Sequence, residues 1–399
     1  MTRFVIIATV ILAAVVFLLS REAGNRPADL SGTNLREAVG QDLRAEEARW
    51  GSHYQTADRP REFRFPDDHG PHDAFKLEWW YFTGNLASAD GRHFGYQLTF
   101  FRNALAPAPT AIDSTGDEPW QTRQLYLAHF AVTDVPNRRL TAFERTARGA
   151  AGLAGASADP FTLWVDDWRV ESTGRESFPV RLRASANDVE IDVTLDPQRP
   201  IVLQGEDGLS RKGDGPNQAS YYYSITRLQT SGTIRTKGID VPVNGLSWLD
   251  REWSTSLLGR TQVGWDWFSL QLNDGTDIMY FRLRESEADT PEYASGVILN
   301  ADGSRRDLKR DEIVVGATGT WTTSDGVSYP SGWTVATTDG RTELRVEPYV
   351  EDQELNLSIR YWEGAVRVNG VHNGATIEGN GYVELTGYAD EAARGRVSP

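Results

Sequence analysis

Short runs of aromatic and β-branched residues dominate the chain from about Phe63 onward. Most of these runs alternate between apolar and polar residues with a period of two, and few stretches show the longer period of a helix. Glycine, aspartate, asparagine and proline separate the runs. Strands with this spacing predict an all-β fold, either a sandwich or a barrel. Examples are EWWYFTGNL, FGYQLTFF, LYLAHFAVTD, VEIDVTLD, SYYYSITRL and GYVELTGY.

One hairpin pattern occurs twice, about half a chain apart. The segment EWWYFTGNL at 78–86 aligns with GWDWFSLQL at 264–272, and each segment runs into an Asp-Gly turn. Tyr96 and Tyr280 each lie six residues after the aspartate of their turn. A repeat of this kind predicts two related antiparallel β-domains rather than one large sheet. The aligned pairs are Trp79 with Trp265, Tyr81 with Trp267, Phe82 with Phe268 and Leu86 with Leu272.

Strand geometry assigns these side chains to faces, because successive residues point to opposite sides of a sheet. One face carries Trp79 and Tyr81 and, in the second copy, Trp265 and Trp267. Asp266 lies on the opposite face and should point away from its two flanking tryptophans. Two roles stay open for it: a functional acid paired across the sheet, or a strand acid that caps, pairs with an arginine or meets solvent.

The first 60 residues differ from the rest. Residues 4–19 form an apolar run after Arg3, which is short for a membrane span and typical of a secretory signal or an uncleaved anchor. We expect residues 1–22 to be a signal peptide or membrane anchor and residues 23–60 to be a polar spacer. The folded part is then exported to the periplasm or cell surface, with this segment as its contact with the membrane.

Composition excludes several functions. The formal net charge of −15 argues against a nucleic-acid partner, because phosphate binding needs a basic surface. The chain has no cysteine, which excludes disulfides, thiolate metal sites and a cysteine nucleophile. The pair His69 and His72 is too small a set for zinc, so we expect no metal and no other cofactor. No nucleophile-elbow, zinc-protease or phosphate-loop motif is present.

Two further segments carry candidate chemistry. In NGLSWLDREWSTS at 244–256, Asp250 lies between Trp248 and Trp253, and a carboxyl group near aromatic rings can act as an acid. The alternative is a domain-joining strand in which Arg251 makes ion pairs. His129 lies mid-strand on an apolar face, where it either lines a cavity or is a hydrogen-bonded core residue.

Several motifs together resemble one family. LEWWYFTGNL, ASYYYSITRL, GLSWLDREWS, GWDWFSLQL, YWEGAV and GYVELTGY are similar to the AttH-like proteins, relatives of the carotenoid 1,2-hydratases. The resemblance covers about residues 60–390. It implies two tandem lipocalin-like antiparallel β-barrels, which we place at 61–245 and 246–390, and a large apolar ligand. The hydratases carry His-x-Trp in this region. Trp253 matches the Trp, whereas Arg251, which cannot exchange protons, replaces the His; Tyr280 matches another hydratase position.

Three functions follow as expectations. The leading one is an exported protein that binds or carries a hydrophobic lipid- or isoprenoid-like molecule. The alternative is a hydro-lyase or cyclase acting on an isoprenoid, with Asp250, Asp266 and Tyr280 as its catalytic candidates. A secreted hydrolase ranks last, because no nucleophile motif is present. The ligand-binding candidates are Trp79, Tyr81, His129, Trp248, Trp253, Trp265 and Trp267.

Overall fold

The computed structural model describes residues 53–107, 123–213, 215, 218–255, 258–259, 261–286 and 293–395. The predicted signal or anchor at 1–22 and most of the spacer at 23–60 lie outside the described residues. Nearly all of the regular structure is β-strand, as predicted. The strands are β1 (Leu77–Ala87), β2 (His93–Ala104), β3 (Gln124–Asp134), β4 (Arg139–Arg148), β5 (Ala154–Ala158), β6 (Phe161–Val165), β7 (Trp168–Ser172), β8 (Val180–Ala186), β9 (Val189–Pro197), β10 (Val202–Leu203), β11 (Leu209–Arg211), β12 (Ala219–Thr236), β13 (Ile239–Ser254), β14 (Gln262–Leu272), β15 (Asp277–Glu285), β16 (Tyr293–Leu299), β17 (Arg305–Lys309), β18 (Ile313–Ala317), β19 (Thr320–Thr322), β20 (Ser328–Pro330), β21 (Trp333–Thr337), β22 (Thr342–Pro348), β23 (Glu354–Asn356), β24 (Arg360–His372) and β25 (Ala375–Leu385).

The strands form two nearly closed antiparallel barrels. The first is a 13-stranded sheet in the order β4-β3-β2-β1-β13-β12-β9-β8-β7-β6-β5, with β10 and β11 also paired to β12. The second is a 10-stranded sheet in the order β17-β16-β15-β14-β25-β24-β22-β21-β18, with β23 paired to β24. The small pair β19–β20, the short helix α1 (Tyr388–Gly395) and two 3-10 helices (Asp67–His69 and Arg310–Glu312) complete the described fold. Two tandem lipocalin-like barrels are therefore confirmed.

Alternation along the strands fills the barrels. In β9, Val189, Ile191, Val193 and Leu195 are buried in the core of the first barrel, whereas the residues between them are partly exposed. The burial of one face per strand is the usual arrangement of an antiparallel barrel wall. A third apolar cluster lies between the barrels, so part of each outer wall is also buried.

The two copies of the repeated hairpin occupy equivalent positions. Strand β1 lies between β2 and β13, and β14 lies between β15 and β25, so each is flanked by the next strand and by the last strand of its barrel. Tyr96 and Tyr280 are not equivalent in the two sheets, although each lies six residues after the aspartate of its turn. Tyr96 pairs with Gly84, and the counterpart of Gly84 pairs with Ile278 instead. The second hairpin is shorter than the alignment assumed, which shifts the return strand.

Strand β13 crosses the domain boundary that we placed between residues 245 and 246. Its pairing with β1 begins at Asn244 and continues to Ser254, which lies opposite Leu77. The chain therefore stays in the first sheet to Ser254 and enters the second sheet at Gln262.

The barrels face each other with approximate two-fold symmetry. Nδ2 of Asn85 in β1 donates to the carbonyl of Gly381 in β25 at 2.9 Å. Nε2 of Gln271, the counterpart of Asn85, donates to the carbonyl of Ser247 in β13 at 3.1 Å. Reciprocal contacts of this kind are the property of a two-fold interface. Each barrel thus presents the same wall to its neighbour.

Among the described residues, the structure has no helix of the length and hydrophobicity that crossing a membrane requires.

Candidate active site

A cavity of about 210 Å³ lies between the two barrels. The outward face of the repeated hairpins forms much of its wall, because Trp79, Tyr81, Trp265 and Trp267 all line it. Rings from neighbouring strands complete an aromatic surface. Near the two-fold axis, Tyr81 and Trp267 meet edge to face with ring centroids 5.2 Å apart. The further aromatic lining residues are Phe101, Tyr222, Phe281 and Tyr361.

Equivalent positions of the two barrels carry the polar groups of the cavity. Asp250 lies opposite Tyr81 in the strand register, and Glu384 lies opposite Trp267. One strand further, Asp250 pairs with Ser224, whereas Glu384 pairs with Glu363. Tyr222 and Tyr361 stand two residues before Ser224 and Glu363. The site is therefore a doubled version of one wall, with the chemistry changed at individual positions.

Asp250 is a buried carboxyl group that faces the cavity. It accepts hydrogen bonds from the hydroxyls of Tyr222 and Ser224, both at 2.5 Å, and from Nε1 of Trp248 at 2.7 Å. Burial raises its pKa to about 7, the negative charge of Glu252 adds to this rise, and the three donors oppose it. A group with this pKa can release and regain a proton near neutral pH.

Two further carboxyl groups, Glu384 and Glu363, line the cavity from the second barrel. Burial and the charges of Asp250 and Glu252 raise the pKa of Glu384 to about 7, against one hydrogen bond from Nε1 of Trp265 at 3.1 Å. Burial and the charge of Glu384 raise the pKa of Glu363 well above its usual range. The hydroxyls of Tyr81 and Tyr361 only partly oppose this rise, and neither oxygen of Glu363 makes a hydrogen bond of ordinary geometry.

The cations on the described lining are already engaged. Nζ of Lys212 lies 2.9 Å from Glu252 and 4.2 Å from the ring centroid of Phe281. Arg360 pairs with Asp325 and Glu354. Within the described part of the chain, Asp250, Glu363 and Glu384 therefore have no ion-pair partner, and no group of three His, Asp or Glu side chains could hold a metal ion.

His129 and Trp248 support the cavity wall from behind. Nδ1 of His129 lies 2.8 Å from the hydroxyl of Tyr361, and Nε2 lies 3.1 Å from Oε2 of Glu144. His129 itself is fully buried. Both predicted ligand-binding residues thus contact lining residues, but neither is part of the lining.

Three other predicted site residues lie inside the barrels instead of at the cavity. Asp266 points away from Trp265 and Trp267, as the strand alternation predicts. It pairs with Arg282 at 2.7 Å and Arg284 at 3.2 Å, and it accepts a hydrogen bond from Tyr388. Tyr280 packs on Phe268 in the second core. Trp253 is part of the first core and stacks on His72, with the two ring centroids 3.8 Å apart.

Arg251, which the sequence resemblance aligned with a histidine of the hydratases, also points into the first barrel. Its guanidinium lies 3.8 Å from the ring centroid of Trp80 and hydrogen-bonds to Glu78. Burial alone would raise the pKa of Glu78, but Arg251 and Arg102 outweigh burial and hold that pKa well below its usual range. The cluster is a buried ion network with a structural role.

Glu363, Glu384, Tyr222 and Tyr361 were not among the residues predicted from the sequence. A signal for Tyr361, Glu363 and Glu384 exists in the motifs YWEGAV and GYVELTGY. Alternation places Tyr361 and Glu363 on one face of the first motif, and Glu384 takes the place in the second barrel that Asp250 takes in the first.

The sequence profile of the AttH-like family matches residues 56–388, which include both barrels. The chain belongs to the AttH-like family. The chain is similar to an AttH protein from Nitrosomonas europaea whose crystal structure is known. The two sequences are 36% identical, and the structures align with a TM-score of 0.73 over 84% of this chain and 99% of that chain. No curated protein gives a significant match.

Two more distant solved structures share the AttH-like fold. Kievitone hydratase from Nectria haematococca is 16% identical with a TM-score of 0.62, and the alignment covers 84% of this chain and 96% of that chain. CghA with Sch210972 is 11% identical with a TM-score of 0.51 and the same coverage. At these identities the similarity concerns the fold alone.

Proposed function

We propose that this protein binds a small apolar, unsaturated molecule between its barrels and adds water to it, or removes water from it, by acid catalysis. The observation that carries the proposal is the carboxyl group of Asp250, whose pKa is raised to about 7 in an aromatic-lined cavity. A buried acid with this pKa is protonated often enough to donate and ionised often enough to be recharged.

The reaction assigns a task to each kind of lining residue. The π electrons of a carbon–carbon double bond take the proton of Asp250, which forms a C–H bond and leaves a carbocation. The faces of Trp79, Tyr81, Trp265 and Trp267 stabilise that cation through their negative ring quadrupoles. A water oxygen then forms the C–O bond, and its proton leaves to a base. Elimination of water is the same path in reverse.

A pure carrier explains less of the cavity. An apolar ligand gains nothing from buried carboxyl groups, and each such group costs free energy of desolvation. Asp250, Glu363 and Glu384 nevertheless lie together at the aromatic surface. The carrier hypothesis shares the ligand class with the enzyme hypothesis but leaves these three acids without a role.

The comparisons and the volume refine the substrate class. Kievitone hydratase has the same fold and, by its name, hydrates kievitone, so this architecture is compatible with the proposed reaction. The cavity of about 210 Å³ is smaller than the roughly 300–1,000 Å³ of sites for drug-sized ligands. We therefore propose a compact substrate, or one end of a longer chain, rather than an enclosed carotenoid.

The test follows heavy oxygen from solvent into product. Purified full-length protein is incubated in H₂¹⁸O with short acyclic isoprenoid alkenes, myrcene among them, and the products are analysed by mass spectrometry. We expect a labelled alcohol from the wild type and a rate lower by about 10²–10⁴-fold from Asp250→Asn. The amide keeps a polar contact with each of the three partners: its oxygen accepts from Ser224 and Trp248, and its nitrogen donates to Tyr222, which reverses the direction of that hydrogen bond.

The matched control is Glu343→Gln, an exposed acid in β22 of the second barrel, which should keep the wild-type rate. Equal rates for Asp250→Asn and the wild type would refute the role of Asp250. If no alkene gives product, and organic extracts of the purified protein contain an unmodified apolar molecule, the carrier hypothesis replaces the enzyme hypothesis.

A further inference from the structure

A line of hydrogen bonds runs from the outer wall of the first barrel to the cavity. It starts at Glu144 in β4, whose side chain is 24% exposed, passes through the fully buried His129 in β3 and ends at the hydroxyl of Tyr361 in β24. The two links measure 3.1 Å and 2.8 Å. The line crosses the barrel interface, so neither barrel contains it alone.

We propose that Tyr361 is the base of the cavity, activated by His129, whose tautomer Glu144 fixes. This inference rests on the proposed function, because it names the group that takes the proton of the attacking water. The arrangement has the logic of a nucleophile–histidine–carboxylate triad, with a tyrosine hydroxyl in the place of the nucleophile.

The surroundings of Glu144 determine the direction of the hydrogen bonds. Its Oε2 accepts from the backbone N–H and the hydroxyl of Ser358 as well as facing Nε2 of His129. Burial raises the pKa of Glu144, but the hydrogen bonds from His129 and Ser358 outweigh burial and lower it, so the group is a carboxylate that only accepts. Nε2 of His129 therefore carries the proton, and Nδ1 offers its lone pair to Tyr361.

The hydroxyl of Tyr361 keeps one oxygen lone pair on the side of the cavity, next to Glu363. Its O–H donates to Nδ1 of His129, and its oxygen accepts from Nε2 of Gln97 at 3.3 Å. Glu363, whose raised pKa favours the neutral acid, competes less for the tyrosine proton than the imidazole lone pair does. A water that attacks the carbocation can pass its proton to this oxygen while the tyrosine proton moves to His129. The imidazolium formed is stabilised by Glu144. It later loses its proton to solvent, and Asp250 regains one, so the cycle closes without another reactant.

The position equivalent to Tyr361 shows that this base is specific to one barrel. Tyr222 donates its hydroxyl proton to Asp250 at 2.5 Å and accepts from Nε1 of Trp267 at 3.2 Å. Because the hydroxyl of Tyr222 is directed at the group that gives its proton to the alkene, Tyr222 holds the proton donor in place and is not a second base. The two tyrosines thus divide the acid and base tasks.

The first experiment needs no substrate. The chain has six histidines, so ¹⁵N-histidine NMR of the full-length protein resolves each ring, and the signals lost in His129→Gln identify His129. We expect a neutral ring with its proton on Nε2 and an unprotonated Nδ1. A ring that carries its proton on Nδ1 would donate to Tyr361 and would overturn the proposal.

The second experiment uses the labelled-water assay with Tyr361→Phe, which keeps the ring and removes only the hydroxyl. We expect kcat to fall by about 10²-fold, with ligand affinity, followed by quenching of tryptophan fluorescence with myrcene, within about twofold of the wild type. The control is His372→Gln, a second buried histidine that contacts a hydroxyl, Thr342 at 3.0 Å, away from the cavity.

The outcomes separate the two proposals. A Tyr361→Phe variant that turns over as fast as the wild type overturns the base role and leaves the proposed function intact. A wild-type protein that turns over no alkene contradicts the proposed function, and the base role with it. A fall in kcat that is matched by His372→Gln also overturns the base role, because it would then reflect general loss of structure.

Discussion

The two walls of the cavity have the same strand positions but different chemistry. In the first barrel, Asp250 receives three hydrogen bonds and lies beside Ser224. In the second barrel, Glu384 receives one from Trp265 and lies beside a second acid, Glu363. Duplication of a wall therefore supplies the geometry of a site, and the partners of each residue supply its chemistry.

The interiors show the same rule at a second pair of positions. Trp80 and Asp266 are equivalent in the repeat, and both point into their barrels. Trp80 lies over Arg251 with its ring centroid 3.8 Å away, whereas Asp266 lies between Arg282 and Arg284. An aromatic face and a carboxylate are two ways of holding buried guanidinium groups. The position of an acid in the repeat therefore does not show whether its role is structural or catalytic.

The largest expected effect separates Asp266 from Asp250. Replacement Asp266→Asn removes the buried carboxylate that pairs with Arg282 and Arg284 inside the second barrel, which should lower the free energy of unfolding by about 3–5 kcal/mol. Urea denaturation measures this loss. The labelled-water assay, corrected for the folded fraction, should give the wild-type rate, because Asp266 does not line the cavity.

The contrast is with Asp250→Asn, which should lose turnover and keep most of its stability. A variant Asp266→Asn that folds as stably as the wild type would contradict the structural role. One that folds but is inactive would return Asp266 to the list of catalytic candidates.

The second prediction concerns the pH dependence of stability. Because the pKa of Glu384 is raised to about 7 on folding, the folded state holds this proton more tightly than the unfolded chain does. The stability that the protonated carboxyl contributes is present below its ordinary pKa and is lost as the pH rises through about 7. The amide of Glu384→Gln is neutral at every pH, so this variant does not lose that stability as the pH rises. Its free energy of unfolding, relative to the wild type, should therefore rise by about 2 kcal/mol between pH 5 and pH 8.

Asp250→Asn should show a change of the same sign, because burial raises that pKa to about 7 as well. The double variant should gain less than the sum, since the charge of Asp250 contributes to the raised pKa of Glu384. Urea denaturation at the two pH values measures all three variants, with Glu343→Gln as the control that should not change. A pH-independent difference for Glu384→Gln would show that this acid is not desolvated.

The sequence was sufficient to predict which side chains of the repeated hairpins face the cavity and which face the barrel interior. Alternation placed Trp79 and Tyr81 on one face and Asp266 on the other, and the repeat placed Trp265 and Trp267 with the first pair. These are local properties of single strands. Asp250 was found because its segment is unusual in composition, with acids between tryptophans.

The grouping of the acids and of His129 with Tyr361 depends on packing between strands that are distant in sequence, which no local pattern contains. Glu363 and Glu384 are on strands near the end of the described chain, and they share a cavity with Asp250 only because the two barrels pack against each other. His129 lies next to Tyr361 across 232 positions of sequence. Tyr280 was misaligned because the turn lengths differ, and turns tolerate such changes without altering the strands that they connect.

The smallest expected effect tests the two-fold relation itself. Asn85→Ala and Gln271→Ala each remove a side chain that bonds to the opposite barrel, at Gly381 and Ser247, so each carbonyl loses its side-chain donor. We expect each variant to lose about 1–2 kcal/mol of unfolding free energy by urea denaturation, and the two losses to be similar. Asn85→Ala also removes a hydrogen bond with His93 of the same barrel, and Gln271→Ala also removes one to the carbonyl of Thr226 in the opposite barrel. The additional losses are therefore comparable. If one variant lost that amount and the other lost nothing, the interface would be asymmetric, and the equivalence of Tyr222 and Tyr361 would be a coincidence of sequence rather than a consequence of symmetry.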